Sequence, residues 1–225
     1  MLVREFHSPL IQKQQQAIQF IQVVDNDEAD YKEFCINKLI SFLMDDNPQH
    51  DKSFLDKFLK ERLRNTQNGS AFIIALDSNQ NILAYSLETK SLEDYQQLLN
   101  SKLSKLKDYS YHYIYLKALL TEKLIQLEHQ DFKTKSRSSI YLGGGIQVSS
   151  KARKQGLGTL FMKLIIDEAR QAGGDLLIAG HDLSNLASGK IQDKLDFLPT
   201  LENRTQDFTI DISNTDPFVL RYIAL

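Results

Sequence analysis

The stretch that most constrains this chain is Ile146-Gln147-Val148-Ser149-Ser150-Lys151-Ala152-Arg153-Lys154-Gln155-Gly156-Leu157-Gly158-Thr159. It reads as a strand end, a basic polar turn, two glycines one residue apart, and a helix. Leu157, Leu160, Phe161, Leu164, Ile165, Ala169 and Ala172 recur at three- and four-residue spacing, and Gly173-Gly174 supplies a stop. The first amides of a helix have no intrahelical partners, and the aligned peptide dipoles place partial positive charge on them. The amides of residues 154–159, with Lys151, Arg153 and Lys154 nearby, therefore suit a phosphate. Gly156 and Gly158 let the backbone approach an anion with no side chain in the way.

Two familiar phosphate loops do not fit. A Walker loop ends in Gly-Lys-Ser/Thr, and Gly143-Gly144-Gly145 is not followed by that triplet. A dinucleotide loop needs a third small residue, where Phe161 stands, and here a charged turn separates the strand from the glycines. The stretch resembles the acetyl-CoA signature of the GNAT acetyltransferase superfamily, Arg/Gln-x-x-Gly-x-Gly/Ala, as Arg153-x-x-Gly156-x-Gly158. A second pattern of that superfamily, Asn-x-x-Ala-x-x-x-Tyr-x-Lys-x-Gly-Phe, is met by Asn185, Lys194 and Phe197 at the same spacing, with Ser188 replacing the alanine. A helix and the apolar run Asp175-Leu176-Leu177-Ile178-Ala179-Gly180, read as a buried strand, separate the two motifs.

Composition sets outer bounds. The 225 residues suffice for one well-cored domain or one with an insertion, and 42% hydrophobic with 25% charged content is ordinary for a globular protein. A formal net charge of −2 supplies no global field toward nucleic acid or anionic membrane. Cys35 is the single cysteine, so no internal disulfide forms; with Phe34, Ile36 and Leu39 around it, it reads as a buried thiol. No apolar signal core or run approaching ~18 apolar residues occurs, so the expectation is a cytoplasmic protein that neither enters the secretory route nor spans a membrane.

Residues 1–17 read as a polar arm. A strand is expected at 18–24, then a helix opened by Asp25 and Glu28 at capping-box spacing, with Tyr31, Phe34, Cys35, Leu39, Phe42 and Leu43 on its apolar side. A second helix at 53–63 carries Phe54, Leu55, Phe58, Leu59 and Leu63. Asn68-Gly69 reads as a turn, and strands at 71–76 and 82–87 form a hairpin. Residues 91–138 read as a mainly helical insertion, opened by Ser91 with Asp94 at capping distance. Within it, 109–115 alternates with strand period and 116–127 returns to helical spacing; Lys133, Lys135 and Arg137 make a basic linker. Strands at 139–148, 208–212 and 219–224 complete the expectation, the first with glycines that mark a bulge or close backbone approach.

The resemblance implies an α/β (α+β) architecture: a central mixed, mostly antiparallel sheet, splayed at its middle strands and flanked by helices. It implies one domain over 1–225 with an acetyl-CoA-binding core at 139–197. It also implies acetyl transfer from acetyl-CoA to an amine of a small molecule or protein by direct attack on the thioester, without a metal, in a possible homodimer partnership that the residues do not themselves encode. The cofactor-binding set so implied is Ile146, Val148, Arg153, Lys154, Gln155, Gly156, Leu157, Gly158, Thr159 and Asn185, with an amide near Gly145 and Ile146 facing the oxyanion.

Two residues depart from the pattern. Gln192 stands where many members have the tyrosine that protonates the leaving thiolate, and no glutamate stands on the strand at 140–148. A thiol of pKa near 8.5 leaves at neutral pH with a deficit of only ~1.5 units, about 2 kcal/mol, whereas an alkyl amine near 10.4 must shed a proton at nearly 5 kcal/mol. The acid is therefore dispensable and the base is not. Glu88, at the end of the hairpin, is the leading candidate base; His181 and Asp182, placed just beyond the strand at 175–180, follow. Two rivals stay open: a CoA-binding sensor or scaffold without turnover, and a binder of another nucleotide phosphate.

Overall fold

The computed structural model describes residues 18–23, 28–46, 48–49, 51–64, 72–87, 89–94, 135–199 and 218–225. The chain divides into two compact units, Met1–Glu88 with Gly144–Phe161, and Thr89–Gly143 with Met162–Leu225.

The first unit holds strands β1 (Gln19–Val23), β2 (Phe72–Leu76), β3 (Ile82–Leu87) and β6 (Ile146–Val148), and helices α1 (Ala29–Asp46) and α2 (Lys52–Arg64). Its sheet runs in the order β1-β2-β3-β6 and is antiparallel throughout. Side chains alternate along a strand, so Phe72, Ile74 and Leu76 share a face with Ile21, Val23 and Tyr85. That face forms a buried cluster with Cys35, Ile36, Leu39, Ile40 and Leu43 of α1 and Leu55, Leu59 and Leu63 of α2. The opposite face carries Phe20, whose ring lies 5.8 Å from that of Phe161. Asp51 opens α2, its Oδ1 accepting from Ser53 N at 2.8 Å, so the helix starts one residue before the expected 53 and has a cap. Phe34 is a correction: it is 48% exposed on α1, not part of the core, and the Lys38 ammonium lies 5.1 Å from its ring.

The second unit holds β4 (Lys90–Ser91), β5 (Ile140–Leu142), β7 (Leu176–Asp182), β8 (Leu198–Pro199) and β9 (Phe218–Ala224), with helix α4 (Leu186–Lys194). Its order is β4-β5-β7-β9-β8, antiparallel except for the parallel pair β5–β7. A parallel pair needs a long crossover, and the chain between these strands carries helix α3 (Leu157–Gln171). Gly173 ends α3 at φ +83°, and Gly174 N returns to Ala169 O at 2.9 Å, the paired closure of a glycine stop. Ser91 and Asp94 form the expected reciprocal cap: Ser91 Oγ accepts from Asp94 N at 3.1 Å and donates to Asp94 Oδ2 at 2.7 Å.

Two boundaries differ from the sequence expectation. The single strand at 139–148 is two strands, β5 and β6, in different sheets: the glycine run, which weakens a strand, lets the backbone leave the β7 ladder at Gly143 N to Ile178 O (2.8 Å) and join β3 at Leu87 N to Gly145 O (2.9 Å). The strand expected at 175–180 extends to Asp182, so His181 and Asp182 lie inside β7 rather than beyond it. Strand β8 was not foreseen. The arm at 1–17, Asp25, the Asn68-Gly69 turn, Glu88, the segments 109–115 and 116–127, Lys133 and the strand at 208–212 lie outside the described residues. Among the described residues no helix is long and apolar enough to cross a membrane.

Candidate functional site

Among the described residues, the strand leading into the glycine turn is the last of its sheet. β6 pairs with β3 through Tyr85 opposite Gln147, and the ladder continues outward with Leu87 N on Gly145 O at 2.9 Å and Ser149 N on Leu83 O at 2.9 Å. In an antiparallel ladder, hydrogen-bonded and non-bonded positions alternate. Gly145, Gln147 and Ser149 therefore spend their backbone groups on β3. Ile146 and Val148 turn theirs to the opposite edge, where β6 closes the sheet order among the described residues. That edge can receive an extended amide-bearing chain by main-chain hydrogen bonds. Below it, Tyr85 Oη and Gln147 Oε1 are joined at 3.2 Å and fix the strand's other face.

From β6 the chain enters a single 3-10 turn, Ser150–Ala152, capped by Ser149, whose Oγ accepts from Ala152 N at 3.2 Å. Lys154 then takes φ +64° and Gly156 φ +84°, and the first helical bond of α3 is Leu160 N to Gly156 O at 3.0 Å. Gly156 stands where a capping side chain would sit and has none, so the amides of Leu157, Gly158 and Thr159 open α3 without a side-chain cap from that position. A Cβ at Gly156 would meet nothing within 4 Å, so glycine is required there by backbone conformation and not by crowding. Leu157 is buried, which anchors the turn, while Lys151, Arg153, Lys154 and Gln155 are exposed around it. Arg153 Nε reaches back to Val148 O at 3.4 Å, and Gln155 Nε2 reaches Lys151 O at 3.3 Å. Uncapped amides, the dipole and three cations on one turn are the donors and charge that suit an anion, and the turn follows directly on β6, the last strand of its sheet among the described residues.

The remaining candidates belong to the second unit. Asn185 caps α4, its Oδ1 accepting from Ser188 N at 3.2 Å, which leaves the side-chain NH2 available for a second partner. His181 is 7% exposed on β7. Burial pushes its imidazole below the ordinary value of 6.5, the Arg221 guanidinium pushes the same way, and Gln192, Asp182 and Asp193 oppose them. Arg221, on β9, pairs with Asp193 of α4. In the sequence Arg221 is signalled only as a lone cation inside the apolar run Phe218-Val219-Leu220-Arg221-Tyr222-Ile223-Ala224. Gln192 is fully buried, and Asp196, at the glycine position of the second motif, holds φ +60° as the residue that ends α4. Among the described residues no group of three or more His, Cys, Asp or Glu gathers as a metal site would need.

No protein-family model and no curated protein matches the sequence. Solved structures do match. An agmatine N-acetyltransferase variant in its apo form aligns with a TM-score of 0.58 at 14% identity, covering 92% of this chain and 99% of its own. A Drosophila melanogaster polyamine N-acetyltransferase that forms N-acetylagmatine aligns at 0.59 and 14%, covering 92% and 100%. A mosquito arylalkylamine N-acetyltransferase-like protein aligns at 0.59 and 13%, with the same coverage. The fold is that of N-acetyltransferases: mixed α/β, with mostly antiparallel strands flanked by helices.

Proposed function

We propose that this chain, which has the fold of the GNAT acetyltransferases, transfers acetyl from acetyl-CoA to an amine by direct attack of the amine on the thioester. The observation that carries the reading is the uncapped start of α3 joined to the open edge of β6. It offers donors for a diphosphate and main-chain partners for an amide-bearing arm, the two recurrent parts of a CoA molecule. Gln155, Gly156, Leu157, Gly158 and Thr159 would hold the diphosphate by backbone amides, with Arg153 and Lys154 adding charge. Ile146 and Val148 would bond the arm, and Asn185 would give its NH2 to an amide carbonyl. The Ile146 amide, directed to the open edge, is the proposed donor for charge that develops on an acyl oxygen. Acetyl-CoA supplies an activated acetyl group; the protein's part is to orient, to shield from water and to take a proton from the acceptor.

The proton acceptor is proposed to be Glu88 or His181. His181 is the better supported of the two, because its surroundings keep the imidazole neutral and so able to accept a proton. The neighbours named for agmatine, polyamine and arylalkylamine support a small-molecule alkyl amine as acceptor, with a protein amine as the other form of the same proposal. One domain made of both units, a cytoplasmic location and a homodimer complete the reading. The chain passes between the units three times, once within α3, which supports a single domain.

The second reading, a CoA-binding module without turnover, is favoured by one observation: Gln192, at the tyrosine position, is an amide that cannot donate a proton to a leaving thiolate. Release of CoA thiol from acetyl-CoA, followed with a panel of alkyl diamines, arylalkylamines and lysine peptides, separates the two. Amine-dependent release supports the transferase. Tight binding of acetyl-CoA with no release above background in any amine supports the module.

A further inference from the structure

Around His181 the second unit buries several polar atoms that have no hydrogen-bond partner among the described residues. Ala179 pairs with Arg221 and His181 with Val219, so the imidazole and the guanidinium lie diagonally on one face of the β7–β9 ladder. Helix α4 covers that face. A Cβ on Gly189 would stand 3.1 Å from His181 Nε2, so glycine is what leaves that nitrogen uncrowded. One helical turn on, the amide of Gln192 is fully buried and neither its oxygen nor its nitrogen is satisfied. His181 Nδ1 and Arg221 Nε are likewise buried and unsatisfied, Arg221 having given Nη1 to Asp193. The amide still acts on the ring as a neighbour that favours its protonated form, the effect of an oxygen facing an imidazole N–H.

A neutral imidazole has one N–H and one lone pair, and which nitrogen carries the proton follows from the partner of the other. An amide oxygen that accepts from Nδ1 selects the Nδ1–H form, and one bridging water, with two donors and two acceptors, can link Nδ1 and Gln192 and also take the Arg221 Nε–H. We propose that Gln192 is a positioning residue for His181: its Oε1 takes the Nδ1 proton, directly or through one buried water, and leaves the lone pair on Nε2 beside Gly189. The use of that lone pair rests on the acyl-transfer reading. There, one proton lost by the amine acceptor moves to Nε2, the ring becomes imidazolium, and Nδ1–H stays on Gln192. The charged groups that act on the ring among the described residues are Arg221 from β9, Asp182 next to it in β7 with its side chain on the opposite face, and Asp193 from α4. Arg221 is already paired with Asp193, which limits how strongly either holds the ring.

Long-range proton–nitrogen correlation spectra of the labelled protein read the tautomer without any variant. The wild type at pH 7 is expected to show a neutral His181 with its proton on Nδ1. A proton on Nε2 overturns the proposal. Gln192→Glu, which faces the ring with a carboxylate, should raise the His181 titration by about one pH unit or more; Gln192→Leu should abolish the Nδ1–H preference. The acid limb of the kcat/KM profile should move with the Gln192→Glu titration while acetyl-CoA affinity stays within about twofold, a reading of no effect on the order of 0.4 kcal/mol. A titration unmoved in both variants overturns the positioning role, and a moved titration with an unmoved acid limb overturns its use in proton transfer. If the wild type releases no thiol with any amine, the acyl-transfer reading fails instead, and the tautomer spectrum still decides whether Gln192 holds the ring.

Discussion

At the level of single residues, backbone conformation at a few positions and one buried imidazole matter most. Gly156 holds φ +84° with open space where a Cβ would be, so Gly156→Ala meets strain rather than a clash. Its expected cost is about 1–2 kcal/mol, expressed as weaker acetyl-CoA binding by calorimetry, and Gly156→Asn, which tolerates the left-handed region, should recover most of it. Asn185→Ala removes the α4 cap and should lower stability by about 1 kcal/mol in a denaturant titration, together with a weaker hold on acetyl-CoA. His181 gives a signed pH prediction. Its folded-state pKa lies below the unfolded value of 6.5, so between the two the unfolded chain binds more protons. The contribution is whole above about 6.5 and is lost as pH falls through the folded value. Comparing denaturant midpoints at pH 7.5 and 5.5 should show this loss, and His181→Leu should show less of it. Little of this could be read in the sequence. His181 and Gln192 are visible as residues, but no local signal carries the strand past Gly180, and a side chain's burial depends on a helix and a strand that only the fold brings over it.

At the scale of elements, α3 was readable from end to end, because an apolar stripe of helical period and a paired glycine stop are both local signals. The structure adds that Gly174 is closed in on three sides: a Cβ there would lie 2.8 Å from Ala169 O, Leu225 Cδ1 and Tyr141 Cδ2. Gly174→Ala should therefore destabilise by about 1–3 kcal/mol, since a backbone oxygen cannot step aside as a flexible side chain can. The basic turn ahead of α3 acts through charge on an exposed surface. Replacing Lys151, Arg153 and Lys154 together by alanine should remove about 1–3 kcal/mol of affinity for acetyl-CoA, roughly 5- to 150-fold, at low ionic strength. The gap should narrow as salt is raised, because exposed charges are screened; an affinity difference that ignores salt would point away from the phosphates. The break between β5 and β6 was only half legible. Three glycines announced an irregular backbone, but which sheet each half joins depends on pairing with β3 and β7, partners 50 residues and more from being neighbours in sequence or set by a later crossover.

At the scale of the whole molecule, two motifs in the right order, a helix and a strand apart, carried the fold assignment while overall identity to solved N-acetyltransferases is only 13–14%. The reason is physical. A helix start that binds a diphosphate constrains a handful of backbone positions, whereas a hydrophobic core accepts many sequences of the right pattern and volume. The acceptor was not legible for the complementary reason, since a pocket for an amine is assembled from side chains of many elements with no fixed spacing. The central claim is that the opening of α3 and the free edge of β6 hold an acyl-CoA. It is tested most directly by adding acetyl-CoA to the nitrogen-labelled protein and following backbone amide shifts. The largest changes are expected at Gly156, Leu157, Gly158 and Thr159, with Ile146 and Val148 next. Saturating acetyl-CoA that leaves those six amides unmoved would contradict it.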